Sequence, residues 1–236
     1  PPRLVDLTWG DKAAPRITLI GKGIAFDTGG LNIKVGEGML LMKKDMGGAA
    51  SALALATMIM RRNLRVRLRV LLPIAENSIA GNAFRPGDVL RSRSGTTVEI
   101  GNTDAEGRLV VADALTLAGE EKPDHVVTFA TLTGAARVAL GPDLPPLYCD
   151  DDDFSGAVVA KGMMVDDPVW RMPFWKPYDK MIKGAVGEIT NSPGSPFAGS
   201  LTAAMFLRRF AGDAKCYTHL DIYGWVPSPR PGQPKG

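Results

Sequence analysis

The chain has 236 residues, 45% of them apolar and 22% charged, with 28 Lys and Arg against 25 Asp and Glu for a formal net charge of +3. These values exclude a disordered or fibrous chain and fit one globular domain with a sizeable core, while the charge is too small on this length to argue for nucleic acid, which wants a concentrated basic face. Only Cys149 and Cys216 are present, without a CxxC, no leader-like segment opens the chain, and no apolar run reaches the roughly 18 residues of a membrane-spanning helix, so a reducing, cytoplasmic location without a membrane partner is expected.

The chain opens on "PPRLVDLTWG" without a Met and closes on the Pro/Gly-rich "PSPRPGQPKG", which reads as one domain cut from a longer protein with a truncated C-terminal end. "RITLIGKGIAFD", 16–27, predicts one buried strand that ends at Asp27 before "TGG". "DMGGAASALALATMIMRRN", 45–63, is apolar nearly all round and predicts a buried helix with its methionines in the core. In "VRLRVLLPIAEN", 66–77, Arg65, Arg67 and Arg69 alternate with Val66, Leu68 and Val70, as on a strand with one basic face; a solvated edge strand is the expected reading and an anion site the less frequent one. A short strand at 98–100 precedes a helix beginning at Glu106, so "NTDAEGRL" falls on a strand-to-helix turn. Asp150 to Asp153 read as a solvated turn, 125–134 as a buried strand, 199–210 as a helix and 216–225 as a late strand. Strands alternating with helices predict an α/β fold: a mixed, largely parallel sheet with helices on both faces, in a single domain over 1–236.

In such sheets ligands collect at the carboxyl ends of strands. Three polar clusters are expected there: Lys22 with Asp27, Lys34 with Asp45, and Asp104 with Glu106 and Arg108. Taken singly, each reads as a turn or helix cap. Together they put four carboxylates and two lysines among apolar segments, and burying that much charge demands partners or a metal. His125 and His219, the only histidines, lie 94 positions apart and read as satisfied core groups, so a His-dominated zinc site is excluded. A metal site must then use oxygen ligands, with at most an amine from a lysine whose pKa burial beside cations depresses. Carboxylates bridging two cations about 3.5–4 Å apart are the usual basis of hydrolytic two-metal sites, and nitrogen ligation favours Zn, Mn or Co over Mg. No Walker A loop, dinucleotide fingerprint or GxSxG elbow is present. From the residues alone the reading stops at a metal hydrolase, a metal phosphoesterase included.

"NTDAEGRL", "GKGIAFDTGGLNIK" and "MKKDMGGAA", with support from "ENSIAGNAFRPGDV", "ATLTGA" and "HLDI", resemble the catalytic domain of the leucyl aminopeptidases, or cytosol aminopeptidases, over most of the chain. The resemblance implies a two-metal aminopeptidase that removes N-terminal Leu or similar apolar residues from peptides with a free N-terminus. In that family Asp27 and Glu106 would bridge two divalent ions (Zn or Mn, with Co or Mg as further options), Lys22 and Asp45 would hold the tighter one, and Asp104 the more exchangeable one. A hydroxide bridging the metals would attack the scissile carbonyl, Lys34 would aid the developing oxyanion, and Arg108 would hold a bicarbonate that shuttles the proton to the leaving amine. Met42, Thr131, Gly134 and Tyr223 match positions lining the pocket for the N-terminal side chain. Tyr223 stands where many relatives have a small residue and is expected, with Trp225, to alter that pocket. Gly101 replaces an Asp often found before the central motif and is expected to leave the metals unaffected. The family's separate N-terminal domain is expected to be absent from this stretch, whether removed or lying outside it, its homo-hexamer is implied for the full-length protein, and DNA binding as in some bacterial relatives is the competing, non-enzymatic reading.

Overall fold

The computed structural model describes residues 1–229, 231–232 and 235. Eleven strands and five helices are laid out in chain order as β1 (Arg3–Gly10), β2 (Arg16–Gly21), β3 (Gly23–Asp27), α1 (Gly47–Arg61), β4 (Arg67–Asn77), β5 (Val89–Arg91), β6 (Thr97–Glu99), α2 (Glu106–Gly119), β7 (His125–Ala130), α3 (Gly134–Leu140), β8 (Pro146–Cys149), α4 (Asp152–Met164), β9 (Trp170–Met172), β10 (Ile189–Thr190), α5 (Gly199–Arg208) and β11 (Cys216–Asp221). The large sheet has the order β1-β4-β2-β7-β11-β8-β9, with β3 also paired to β4. Its centre is parallel, while β1 and β8 run antiparallel to their neighbours β4 and β11. A small sheet, β10-β6-β5, lies apart.

Period-2 alternation along the central strands sends neighbouring side chains to opposite faces. Ile20, Leu71, Val126 and Tyr217 pack with α2 and α5, whereas Leu19, Leu68, Val70 and Leu72 pack with α1. Helices therefore cover both faces, as the alternating pattern predicts.

Several elements depart from the sequence reading. The first strand is two: β2 and β3 follow one another along β4, broken at Lys22, whose backbone N–H leaves the run to bond Phe129 O at 2.9 Å, with a register shift between Ile24 and Asp27. Lys22, two positions on from Ile20, keeps that residue's face of the sheet, and its side chain lies against Gly107 at the start of α2. Helix α1 is not buried all round. Ala49, Ala52, Ala56 and Ile59 face the sheet, but Met46, Leu53 and Met58 are exposed, Met58 at 63%. Strand β4 is no edge, being flanked by β1 and β2, and the arginine stripe is only partly solvated: Arg65, before the strand, is exposed, half-buried Arg67 pairs with Glu121 at 3.2 Å, and buried Arg69 makes a bidentate pair with Asp6 (3.0 and 2.8 Å) and a second pair with Glu121 at 3.1 Å. The acidic run is a helix start, since the Asp151 side chain accepts the Phe154 N–H at 2.8 Å and Asp152 and Asp153 occupy the first turn of α4, where the helix dipole favours them. Cys149 and Cys216 are buried and unbridged.

Candidate metal centre

The parallel strands aim their carboxyl ends at one cleft of about 530 Å³. Lys22 follows β2, Asp27 ends β3, Asn77 ends β4, Thr131 follows β7 and Asp221 ends β11. Asp45 precedes α1, and Glu106 opens α2 after a tight turn over Thr103–Ala105. Of the eleven residues singled out from the sequence, ten line this cleft; Glu106 lies beneath it, buried.

The charges interlock. Lys22 Nζ lies 2.7 Å from Asp45 Oδ2 and 3.0 Å from Glu106 Oε1, and donates to Thr131 O at 3.3 Å. Lys34 Nζ lies 2.9 Å from Asp27 Oδ2 and 2.6 Å from Asp104 Oδ1. The carboxylates are also held by neutral donors. Asn77 Nδ2 donates to Asp27 Oδ1 (2.8 Å), Glu106 Oε2 (3.1 Å) and Thr103 O (3.1 Å), and Thr131 Oγ1 donates to Asp45 Oδ1 at 2.7 Å. Thr103 fastens the two loops together, donating to Gly29 O at 2.6 Å while Asn32 N donates to its hydroxyl at 2.8 Å.

Asp27, Asp45 and Glu106 each present an oxygen within 4.8 Å of the others, a grouping able to hold a cation; Asp104 stands outside that trio and joins through Lys34. Two ammonium groups do not satisfy four carboxylates. Burial and the neighbouring Asp27 raise the pKa of Asp104, and burial with repulsion from Asp27 and Asp45 raises that of Glu106, against the pull of the lysines. Asp27 goes the other way: burial opposes its charge, but Lys34 and the Gly29 N–H overcome it. Burial likewise opposes the charge of Lys22, yet Glu106 and Asp45 carry its pKa above the usual lysine value; the depression expected from the sequence depends on cations beside the amine. The cluster therefore fits further positive charge, and oxygen donors in this number suit a divalent ion.

Arg108 is buried, with Nη1 donating to Asn191 O at 2.6 Å and Nε without a protein acceptor. Burial lowers its pKa to about 10, with Asp221 and Glu106 opposing, so the guanidinium stays charged at neutral pH and keeps donors for a planar anion. Asn191 itself grips the central motif, accepting from Gly101 N (2.9 Å) and donating to Asn102 O (2.7 Å). A Cβ at Gly101 would stand 2.6 Å from Ser192 O, so the missing Asp side chain has no room here. His219 is fully buried, with Nδ1 2.8 Å from Thr128 Oγ1 but Nε2 unpartnered, and burial lowers its pKa to about 3. Neither histidine lines the cleft and both leave a ring nitrogen without a protein partner: His219 is a core group but not a satisfied one, and His125 is half-buried. Tyr223 lines the cleft; Trp225 does not.

The sequence profile of the cytosol aminopeptidase family, catalytic domain, matches residues 1–235. The chain belongs to the cytosol aminopeptidase family. A probable cytosol aminopeptidase of Chlorobium luteolum is 47% identical over 222 residues, covering 94% of this chain and 44% of the relative, and that of Roseiflexus castenholzii is 43% identical over 240 residues, covering 100% and 49%. The crystal structure of the Coxiella burnetii cytosol aminopeptidase superposes with a TM-score of 0.97 at 52% identity, covering 100% of this chain and 52% of that one. The bottromycin maturation enzyme BotP in complex with Mn superposes with a TM-score of 0.91 at 38% identity, covering 98% and 51%. The chain thus spans about half the length of the relatives it matches. No helix among the described residues is long and apolar enough to cross a membrane.

Asn77, Asn191 and Asp221 were not singled out from the sequence. Asn77 sits in "ENSIAG" and Asp221 in "HLDI", both quoted for the resemblance, so the signal lay in the motif and not in local spacing.

Proposed function

We propose that the chain is the catalytic domain of a two-metal aminopeptidase releasing Leu, Met or similar residues from peptides with a free N-terminus. The observation that carries this is the clustering of four carboxylates around two ammonium groups, where burial and repulsion between the carboxylates raise the pKa of Asp104 and Glu106 despite the lysines at hand. Lys22, Asp27, Asp45, Asp104 and Glu106 are read as the ligands, with Asp27 and Glu106 shared because Asn77 holds that pair from below. Lys22 joins the set only on losing its proton, which Glu106 and Asp45 now retain. When bound, the two divalent ions supply Lewis acidity toward the scissile carbonyl and an activated water. Mn is favoured among Zn, Mn, Co and Mg by its presence in BotP.

Lys34, steadied between Asp27 and Asp104, points its ammonium into the cleft and donates to the oxyanion that develops. Arg108 offers its unpaired Nε–H and remaining donors to a bicarbonate, which supplies the proton carrier the site otherwise lacks, since every carboxylate is a ligand and neutral His219 faces elsewhere. Met42, Thr131 and Gly134 line the side-chain pocket, although the Thr131 hydroxyl is spent on Asp45. A cytosolic homo-hexamer of the full-length protein completes the reading.

The test is hydrolysis of leucine p-nitroanilide before and after chelation and on return of Zn or Mn, with N-acetyl-leucine p-nitroanilide as control and Mn(II) titration calorimetry of Asp27→Asn alongside. Metal-restored cleavage abolished by N-acetylation, with Mn(II) binding weakened by the substitution, is expected. Cleavage indifferent to metal, or to N-acetylation, refutes it.

A further inference from the structure

One wall of the cleft carries charge that the proposed chemistry does not use. Lys44 Nζ lies 4.7 Å from the centroid of the Tyr223 ring and Arg137 Cζ lies 5.2 Å from the same centroid, and all three side chains line the cleft. Two like charges are thereby drawn to one phenol. Among the described residues, neither has a carboxylate within salt-bridge distance or a side-chain hydrogen bond, and the carboxylate adjacent in sequence, Asp45, is engaged by Lys22 and Thr131. Among the described residues the other buried cations are all satisfied by oxygen: Lys22 and Arg69 by carboxylates, Arg108 by a carbonyl. Lys44, only 9% exposed, is the exception. A ring face compensates a cation by about 0.5–2 kcal/mol, whereas a carboxylate adds charge-assisted hydrogen bonds to both at once.

We propose that Lys44 and Arg137, braced on Tyr223, form a subsite for a substrate carboxylate, and that its occupant is the acidic side chain of an N-terminal Glu or Asp. This rests on the aminopeptidase reading, which puts the N-terminal side chain against Met42, Thr131, Gly134 and Tyr223. It widens the apolar preference without contradicting it: the two methylenes of Glu pack where those of Leu or Met do, and the carboxylate reaches the cationic wall beyond. A neutral isostere, Gln, gains nothing there. A short peptide's C-terminal carboxylate has the same chemistry, but the wall stands on the pocket side.

The experiment compares kcat/KM for 7-amido-4-methylcoumarin conjugates of Glu, Gln and Met on the full chain loaded with Mn(II), and for Met-Ala against Met-Ala amide. The variants are Arg137→Gln, Arg137→Glu and Lys44→Met; Arg137 is exposed on α3, so its replacement leaves the fold intact. Glu is expected to exceed Gln at least tenfold, a ratio that falls at least fivefold in Arg137→Gln and Lys44→Met and inverts in Arg137→Glu. A Glu/Gln ratio near one, or one that the Arg137 variants leave unchanged, overturns the subsite. A loss confined to Met-Ala relative to its amide moves the carboxylate to the peptide's C-terminus and overturns the side-chain assignment. Failure on Met as well brings down the aminopeptidase reading, and the subsite with it.

Discussion

Gly107→Ala separates the charge cage from the helix that carries it. A Cβ at residue 107 would stand 2.5 Å from Lys22 Cε, 2.7 Å from its Nζ and 2.8 Å from its Cδ, so the lysine must swing away from Asp45 and Glu106. Only the flexible end of one side chain is displaced, and α2 itself gains about 1 kcal/mol from Ala over Gly. Against that gain, leaving a buried charge without its partner costs about 3–5 kcal/mol. The metal-free variant is therefore expected to be less stable than the parent by about 2–4 kcal/mol in urea unfolding. Gly156→Ala is the control: it sits in α4 with open space where its Cβ would go, and is expected to raise stability by about 1 kcal/mol. Calorimetric titration of Mn(II) should also weaken at least tenfold in Gly107→Ala, because an evicted Lys22 no longer reaches the carboxylates. A Gly107→Ala chain that gains stability as Gly156→Ala does, with Mn(II) affinity intact, would refute the idea that Lys22 holds the cage.

Asn77→Ala removes the amide that tethers Asp27 to Glu106, and Mn(II) affinity measured by calorimetry is expected to fall at least tenfold while the far-UV spectrum is kept. Arg108→Lys exchanges a planar fork for a point charge; kcat is expected to drop about a hundredfold with KM little changed, and any stimulation by added bicarbonate should vanish. His219 gives a pH dependence of stability. Its pKa is about 3 when folded against an ordinary value near 6.5, with Arg108 as the charged neighbour that deepens the burial effect, so the unfolded chain binds the proton first. Its contribution is complete above pH 6.5 and is lost as pH falls toward 3, on the order of 5 kcal/mol over the window. The difference between parent and His219→Asn unfolding curves across pH 4 to 7 should carry that slope, and parallel curves would remove His219 from the account.

What the sequence made legible was periodic or contiguous. Alternation along 66–77 and the apolar run from 125 marked strands, though not that 66–77 is a central one, and "NTDAEGRL" put Asp104, Glu106 and Arg108 on one turn because the chain itself holds them together. Lys22, Asp27 and Asp45 were singled out as polar residues near strand ends, but their ligand roles were reached only through the resemblance, since their meeting depends on two strand ends and a helix start. Asn77 escaped because its partners lie 50 and 29 residues away, and Asn191 because it acts on the motif from 89 residues off. The arginine stripe was misread for the same reason: Asp6 is 63 residues from Arg69, on a strand that hides in an exposed opening segment. Likewise, nothing in the spacing of Lys44, Arg137 and Tyr223 announces that they share a ring. The acidic run is different, because its Asp-x-x-Phe start obeys capping chemistry and was readable as a helix.

Asn191 follows β10, in the small sheet, and its backbone oxygen takes the Arg108 guanidinium while its amide closes on residues 101 and 102. Asp27, Asn77, Thr131 and Lys22, by contrast, stand at strand ends of the large sheet. Asn191 thus ties the small sheet to the one turn that carries Asp104, Glu106 and Arg108. A substitution that tilts the small sheet would shift the guanidinium and the two carboxylates of that turn together, while Asp27 and Asn77 stay where the large sheet holds them. The seam between the two sheets runs through the cluster of acids, and drift in one sheet would change the spacing across it.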